Sequence, residues 1–174
     1  MTVAPAVSIA TVTLVAALLM MAGEWVLSRF NEAHLRSRGA VEPADDVYRL
    51  MQWAYPLAFV AMAVEGAWRG PAPPGVLAGG LVLFGVSKAL KMWAISTLGI
   101  RWCFRVLVLP GAPLVVAGPF RWINHPNYVA VIGELAGVAA VVWAPMAGVL
   151  AVVGFGLLIR ARVRVEDRVL GRQP

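Results

Sequence analysis

Residues 118–160 read GPFRWINHPNYVAVIGELAGVAAVVWAPMAGVLAVVGFGLLIR. A polar, helix-breaking run, His125-Pro126-Asn127-Tyr128, feeds directly into two apolar stretches, about 128–143 and about 146–160, parted only by Trp143-Ala144-Pro145. Two apolar runs joined so closely predict a tight helical hairpin. Proline fixes φ and disfavours helix at the preceding residue, so His125 is expected in extended backbone at a helix entrance, with Pro126 in the first turn. Such an entrance offers backbone N–H groups to a polar or anionic ligand. The same four residues equally fit an interfacial helix start with Tyr128 as aromatic anchor.

Working outward, three more apolar segments lie at about 6–27, 50–68 and 74–95, the last following the breaker RGPAPPG. Each of these three is long enough to cross a hydrocarbon core, which needs roughly 20 residues; the last two segments are shorter. The chain has 174 residues, is 60% hydrophobic and only 14% charged, with a mean hydropathy of +0.77. That composition excludes an ordinary soluble domain and predicts an all-α, polytopic transmembrane bundle of about five segments. No polar linker divides it, so residues 1–174 are expected to form one domain. No Lys or Arg precedes Arg29, which argues for a retained transmembrane helix over a cleaved secretory signal.

With five segments, fourteen of the fifteen basic residues fall on one side of the membrane, and Arg69 alone falls on the other. The positive-inside rule then predicts the N-terminus outside and the C-terminus cytoplasmic. The net charge of +6 reads as topology signal and lipid-headgroup contact, not as nucleic-acid binding. Cys103 has no second cysteine to pair with, and one Cys with two His makes no structural zinc cluster. No phosphate-binding glycine loop, metalloprotease helix or Ser-His-Asp pattern occurs, and His34 has no partner visible in the sequence.

Glu134 lies inside an apolar segment, where a carboxylate costs roughly 2.5–3.5 kcal/mol on insertion scales. It shares a helix face with Asn127, one heptad away. It is either functional or half of a structural ion pair with an arginine, while Gly133 and Gly137 beside it read as close-packing residues. The tail ARVRVEDRVL carries Arg162 four residues before Glu166, with Asp167 next to it. It reads as a basic amphipathic helix on anionic headgroups, or as an acidic pair facing a cationic ligand. Glu24, Glu65, Lys88 and Lys91 sit near segment ends and read as interface residues. The seven tryptophans read as interfacial belts first and substrate walls second.

Gly118-Pro119-Phe120-Arg121-Trp122-Ile123-Asn124-His125-Pro126-Asn127-Tyr128 resembles the GPYRxxRHPxY signature of isoprenylcysteine carboxyl methyltransferase-like membrane enzymes, and Arg162-Val163-Arg164-Val165-Glu166-Asp167 resembles their RIxxEE. Trp93–Gly99, Val108–Ala112 and Arg38–Glu42 are similar to the bacterial branch. The resemblance implies an S-adenosylmethionine-dependent methyltransferase of a bacterial inner membrane, its cofactor pocket open to the cytosol and its lipophilic substrate arriving from the bilayer. By position, the cofactor would touch Ala112, Pro113, Leu114, Val115, Phe120, His125, Pro126, Asn127, Tyr128 and Glu166. Arg162 would face the methyl acceptor as the catalytic residue, and no metal is required. The implied acceptor is a prenylcysteine-like carboxylate or, preferred, an alkylpyrone- or alkylresorcinol-type lipid. Asn124 stands where the family usually has arginine, and Phe120 where it has tyrosine. An NADPH-dependent membrane reductase and a non-enzymatic relative are the alternatives.

Overall fold

The computed structural model describes residues 8–171, so Arg172 and the first residues of the segment expected from 6 lie outside it. Five helices follow in order: α1 (Ile9–Ser37), α2 (Tyr48–Arg69), α3 (Pro74–Leu98), α4 (Pro126–Val141) and α5 (Pro145–Val169). Among the described residues there is no strand, only an isolated antiparallel bridge between Val41 and Val108. The chain is thus an all-helical polytopic bundle. Ile9–Ser37, Pro74–Arg101 and Pro145–Val169 are long and apolar enough to cross a membrane, and α4 is a shorter apolar helix.

Helix starts follow local chemistry. Ser8 caps α1 by accepting the Thr11 N–H at 3.1 Å. Prolines open α3, α4 and α5 in the first turn, where a missing N–H costs nothing. His125 caps α4 with non-helical backbone, φ −130° and ψ 63°. Pro56 lies inside α2, and it withholds the N–H that would bond the Gln52 carbonyl.

The α4–α5 hairpin turns on Val142, Trp143 and Ala144. Trp143 has φ 56°, and Ala144 N–H donates to the Ala139 carbonyl at 2.8 Å, closing the end of α4 in a left-handed turn. For a residue with a Cβ this conformation costs roughly 1–2 kcal/mol. At the same end of the bundle Glu65 of α2 accepts the Ala147 N–H at 2.6 Å and the Met146 N–H at 3.3 Å. It therefore caps α5 and ties α2 to the hairpin, a different role from the interfacial one expected of it.

The fifth segment is longer than its apolar stretch implies. α5 runs 25 residues without a break, so the basic tail is its continuation and not a separate helix lying on headgroups. α3 and α4 make the most extensive helix pair, because small residues line their seam. A Cβ on Gly137 would stand 2.7 Å from the Phe84 backbone nitrogen, and one on Gly80 would stand 2.8 Å from that of Val141. The backbones meet at a distance that only glycine allows. The core fills between α2, α4 and α5, where Phe59, Met62, Leu135, Val138 and Phe155 are buried together.

Candidate active site

The stretch from Gly99 to His125 carries only two short 3-10 turns, Gly99–Arg101 and Gly118–Arg121, yet its first part is held firmly by polar residues of α1. Asn31 donates to the Trp102 carbonyl at 2.7 Å. Ser28 accepts the Phe104 N–H at 2.8 Å while donating to Glu32 at 2.8 Å. Arg105 reaches Glu32 at 3.4 Å and Glu42 at 2.5 Å, and Arg36 also pairs with Glu42. Burial pushes the Glu42 carboxyl up, but hydrogen bonds from Arg105 and Arg36 outweigh it and hold the group below its ordinary range. The Val41–Val108 bridge, 2.9 and 3.0 Å, completes the clamp.

This clamp sets the loop over the polar end of α5. Arg162 is buried, and each of its three nitrogens has a partner. Its Nε donates to Tyr128 Oη at 2.8 Å, its Nη2 donates to the Phe104 carbonyl, and its Nη1 lies 3.3 Å from Asp46 Oδ1. Tyr128 Oη in turn donates to Glu166 Oε2 at 2.7 Å. His125 stacks on the Tyr128 ring, with centroids 5.5 Å apart. Its Nε2 lies 3.0 Å from Asp167 Oδ1 and its Nδ1 lies 3.6 Å from Glu166 Oε2. The helix entrance and the acidic pair of the tail, distant in sequence, thus form one hydrogen-bonded group.

Three cavities surround it. The largest, about 420 Å³, is mostly apolar and runs between α1, α2, α4 and α5, lined by Met21, Trp25, Tyr48, Met51, Trp53, Val131 and Phe155 together with Asn127, Tyr128 and Arg162. A second, about 110 Å³, is lined by Phe120, Asn124, His125, Pro126, Asn127, Tyr128, Arg162 and Glu166. A third, about 140 Å³, is lined by Ala112, Pro113, Leu114, Val115, Phe120 and Glu166, and shares Leu98, Arg101, Val108 and Leu170 with the second. All eleven residues singled out from the sequence therefore line the second or third cavity. Tyr128, Asn127, Arg162 and Cys103 line both the first and the second. Burial, with Glu32 nearby, pushes the Cys103 thiol up to about 12.

Other polar residues escaped the sequence reading. Asp46, whose side chain is 3% exposed, neutralises Arg162 and accepts the Tyr48 and Val106 N–H groups, each at 3.1 Å. Glu24, Lys88 and Lys91, expected at an interface, turn inward to Glu134. They form a closed cluster in which Lys88 lies 2.9 Å from both Glu24 and Glu134, and Lys91 lies 3.0 and 2.9 Å from the same two. Tyr55 Oη donates to Glu134 at 2.6 Å. The partners of Glu134 are thus lysines and a tyrosine, not an arginine. Two lysines and two glutamates inside apolar segments are the signal that would have found this cluster, since unpaired charges cannot stay there. Of the tryptophans, Trp68 and Trp122 are exposed in keeping with a belt, Trp25 and Trp53 line the large cavity, and Trp102 is buried against the second.

The isoprenylcysteine carboxyl methyltransferase (ICMT) family matches residues 80–172, which take in most of α3, the clamped loop, α4 and α5. A Bacillus subtilis relative, named only as uncharacterized protein YpbQ, is 29% identical over 153 residues, covering 88% of this chain and 91% of its own. No solved structure gives a significant match. With more than half its length matched, from the glycine-lined α3–α4 seam to the acidic end of α5, the chain belongs to the isoprenylcysteine carboxyl methyltransferase family.

Proposed function

We propose that the protein is an S-adenosylmethionine-dependent O-methyltransferase acting on a lipophilic acceptor. One observation carries the reading: a mostly apolar cavity and a smaller, more polar one meet at Tyr128 and Arg162, the arrangement a reaction between a lipid and a soluble reactant requires. The second and third cavities suit the cofactor's parts. Leu98, Val108, Phe120 and Leu170 offer an apolar slot for a purine ring, while Glu166 offers a carboxylate for a cationic centre. When bound, the cofactor supplies an electrophilic methyl group on a sulfonium, and no metal is needed.

The chain's own residues do the positioning, which is most of what an in-line displacement asks of a protein. The donor sequence Arg162 to Tyr128 to Glu166 fixes the tyrosine oxygen between a guanidinium and a carboxylate. His125, stacked on that ring and bonded to Asp167, holds the acidic residues in place. Arg162 orients the acceptor oxygen. Because Asp46 already balances Arg162, a hydroxyl or enol acceptor suits the site better than a carboxylate, which would find no uncompensated cation there. That favours an alkylpyrone- or alkylresorcinol-type lipid over a prenylcysteine. The basic residues around this end support a cytoplasmic site with the N-terminus outside, testable with reporters fused to each terminus.

The direct test is protein purified in detergent, incubated with methyl-labelled S-adenosylmethionine and bacterial lipid extract, with mass spectrometry of the products. A lipid that gains one labelled methyl group is expected. Absence of binding to both S-adenosylmethionine and its demethylated product refutes the reading.

A further inference from the structure

One part of the large cavity's wall is polar, and methyl transfer at Arg162 makes no use of it. Lys91 and Tyr55 line the cavity there, backed by Glu24, Glu134 and Lys88. Three buried charges and the half-buried Lys88 within apolar helices are costly to assemble, and apolar side chains of similar volume would serve packing at least as well. The cluster is electrically closed, two lysines against two glutamates, so it offers no net charge to a ligand. It does offer a donor. An ammonium carries three N–H groups; Glu24 and Glu134 hold two of those on Lys91, at 3.0 and 2.9 Å. Both glutamates orient the nitrogen, while the face of Tyr55 lies 5.6 Å away.

The register of the helices places this end relative to the first. On α4, Tyr128 at the Arg162 end and Glu134 at the cluster are six residues apart, with Val131 lining the wall between them. That separation is about 9 Å along the axis. We infer that Lys91, oriented by Glu24 and Glu134 and flanked by Tyr55, is a second recognition site. It takes an uncharged oxygen, a ring hydroxyl or carbonyl, on the same amphiphile whose first oxygen reaches Arg162. Its ligand is therefore an amphiphile with two oxygens on its head, and a single-oxygen head leaves the Lys91 donor without a partner. This deepens the proposed function by naming what distinguishes acceptors, and it concerns binding, not transfer.

The test measures affinity without cofactor. Two amphiphiles of equal chain length, a meta-benzenediol and the corresponding monohydroxybenzene, are titrated into detergent-purified protein and followed by tryptophan fluorescence, since Trp25 and Trp53 line the cavity. The wild-type protein is expected to bind the diol about tenfold more tightly, the worth of one hydrogen bond from a charged donor. In Lys91→Met/Glu24→Gln, which removes one charge of each sign, that ratio is expected to fall to about twofold or less. Tyr55→Phe keeps every charge, is expected to reduce the ratio by about threefold, and decides the matter if the double variant does not fold. A wild-type ratio near one, or a ratio unchanged in the folded variants, overturns the inference. Methyl transfer is assayed separately on the same pair, so its absence counts against the proposed function and leaves the affinity ratio intact.

Discussion

Replacing Asp46 with asparagine tests whether Arg162 is held in place by its partner or only by packing. Asp46 uses both oxygens: Oδ1 faces the Tyr48 N–H and Arg162 Nη1, and Oδ2 faces the Val106 N–H. Asparagine has one acceptor oxygen and a donating NH2. With its oxygen toward Arg162, its NH2 meets the Val106 N–H, donor against donor, and the buried guanidinium loses its counter-charge. Removing one partner of a buried pair costs about 3–5 kcal/mol. Arg162 keeps Tyr128 and the Phe104 carbonyl as acceptors, so the expected loss lies near the low end, about 3 kcal/mol. For a chain of this size that is a fall in melting temperature of about 6–12 °C. Thermal unfolding in detergent, followed by tryptophan emission, measures it. Arg162→Met combined with Asp46→Asn should cost less than the two single changes together, because the pair is then removed whole. An Asp46→Asn protein melting within about 2 °C of wild type, or strict additivity in the double variant, refutes the reasoning.

Tyr128→Phe removes the oxygen that joins Arg162 to Glu166; methyl transfer per folded protein should fall about ten- to a hundredfold through misplacement of Arg162, together with a loss of stability of about 1–3 kcal/mol because the buried Nε loses its acceptor. Gly137→Ala should destabilise by about 1–3 kcal/mol, because the new Cβ would meet the Phe84 backbone, whereas helix propensity alone predicts a gain of about 1 kcal/mol; the sign of the shift in thermal unfolding decides. Cys103 should resist maleimide and iodoacetamide in the folded protein at about pH 7–9, because its thiol is pushed from 9.0 to about 12 and the thiolate is the reactive form. Since the folded value is the higher one, this group's contribution to stability is intact below 9.0 and is lost as pH rises toward 12; labelling that matches the unfolded rate at neutral pH would contradict the half-buried position of the thiol.

The hairpin was legible because proline and apolar periodicity act locally: Pro126 and Pro145 mark the two helix starts whatever surrounds them. The HPNY run and the acidic tail were legible as chemistry, since both interrupt apolar sequence. The family resemblance and the shared side of the membrane put them in one site, but their direct hydrogen bonds were not legible, because α5 was cut short at its apolar limit near 160, whereas the helix continues to Val169 and carries Glu166 and Asp167 up to His125. The same error of length put Glu24, Lys88 and Lys91 at segment ends. α1 and α3 outrun their apolar windows, so these residues lie well inside their helices and find one another. Asp46 was illegible for another reason. It lies in the short link before α2 and acquires its role only when α5 and the clamped loop fold against it.

Tyr128 and Arg162 belong to both the large apolar cavity and the smaller, more polar one, and this has a thermodynamic consequence. Two ligands that press on the same pair of side chains cannot bind independently. Whatever one gains by ordering that pair, the other gains in equal measure. The affinity for a lipid measured with the polar cavity filled, divided by that with it empty, must equal the reciprocal measurement made from the other side. A shared wall of two residues is therefore also a gauge: it lets the occupancy of either chamber be read from the other.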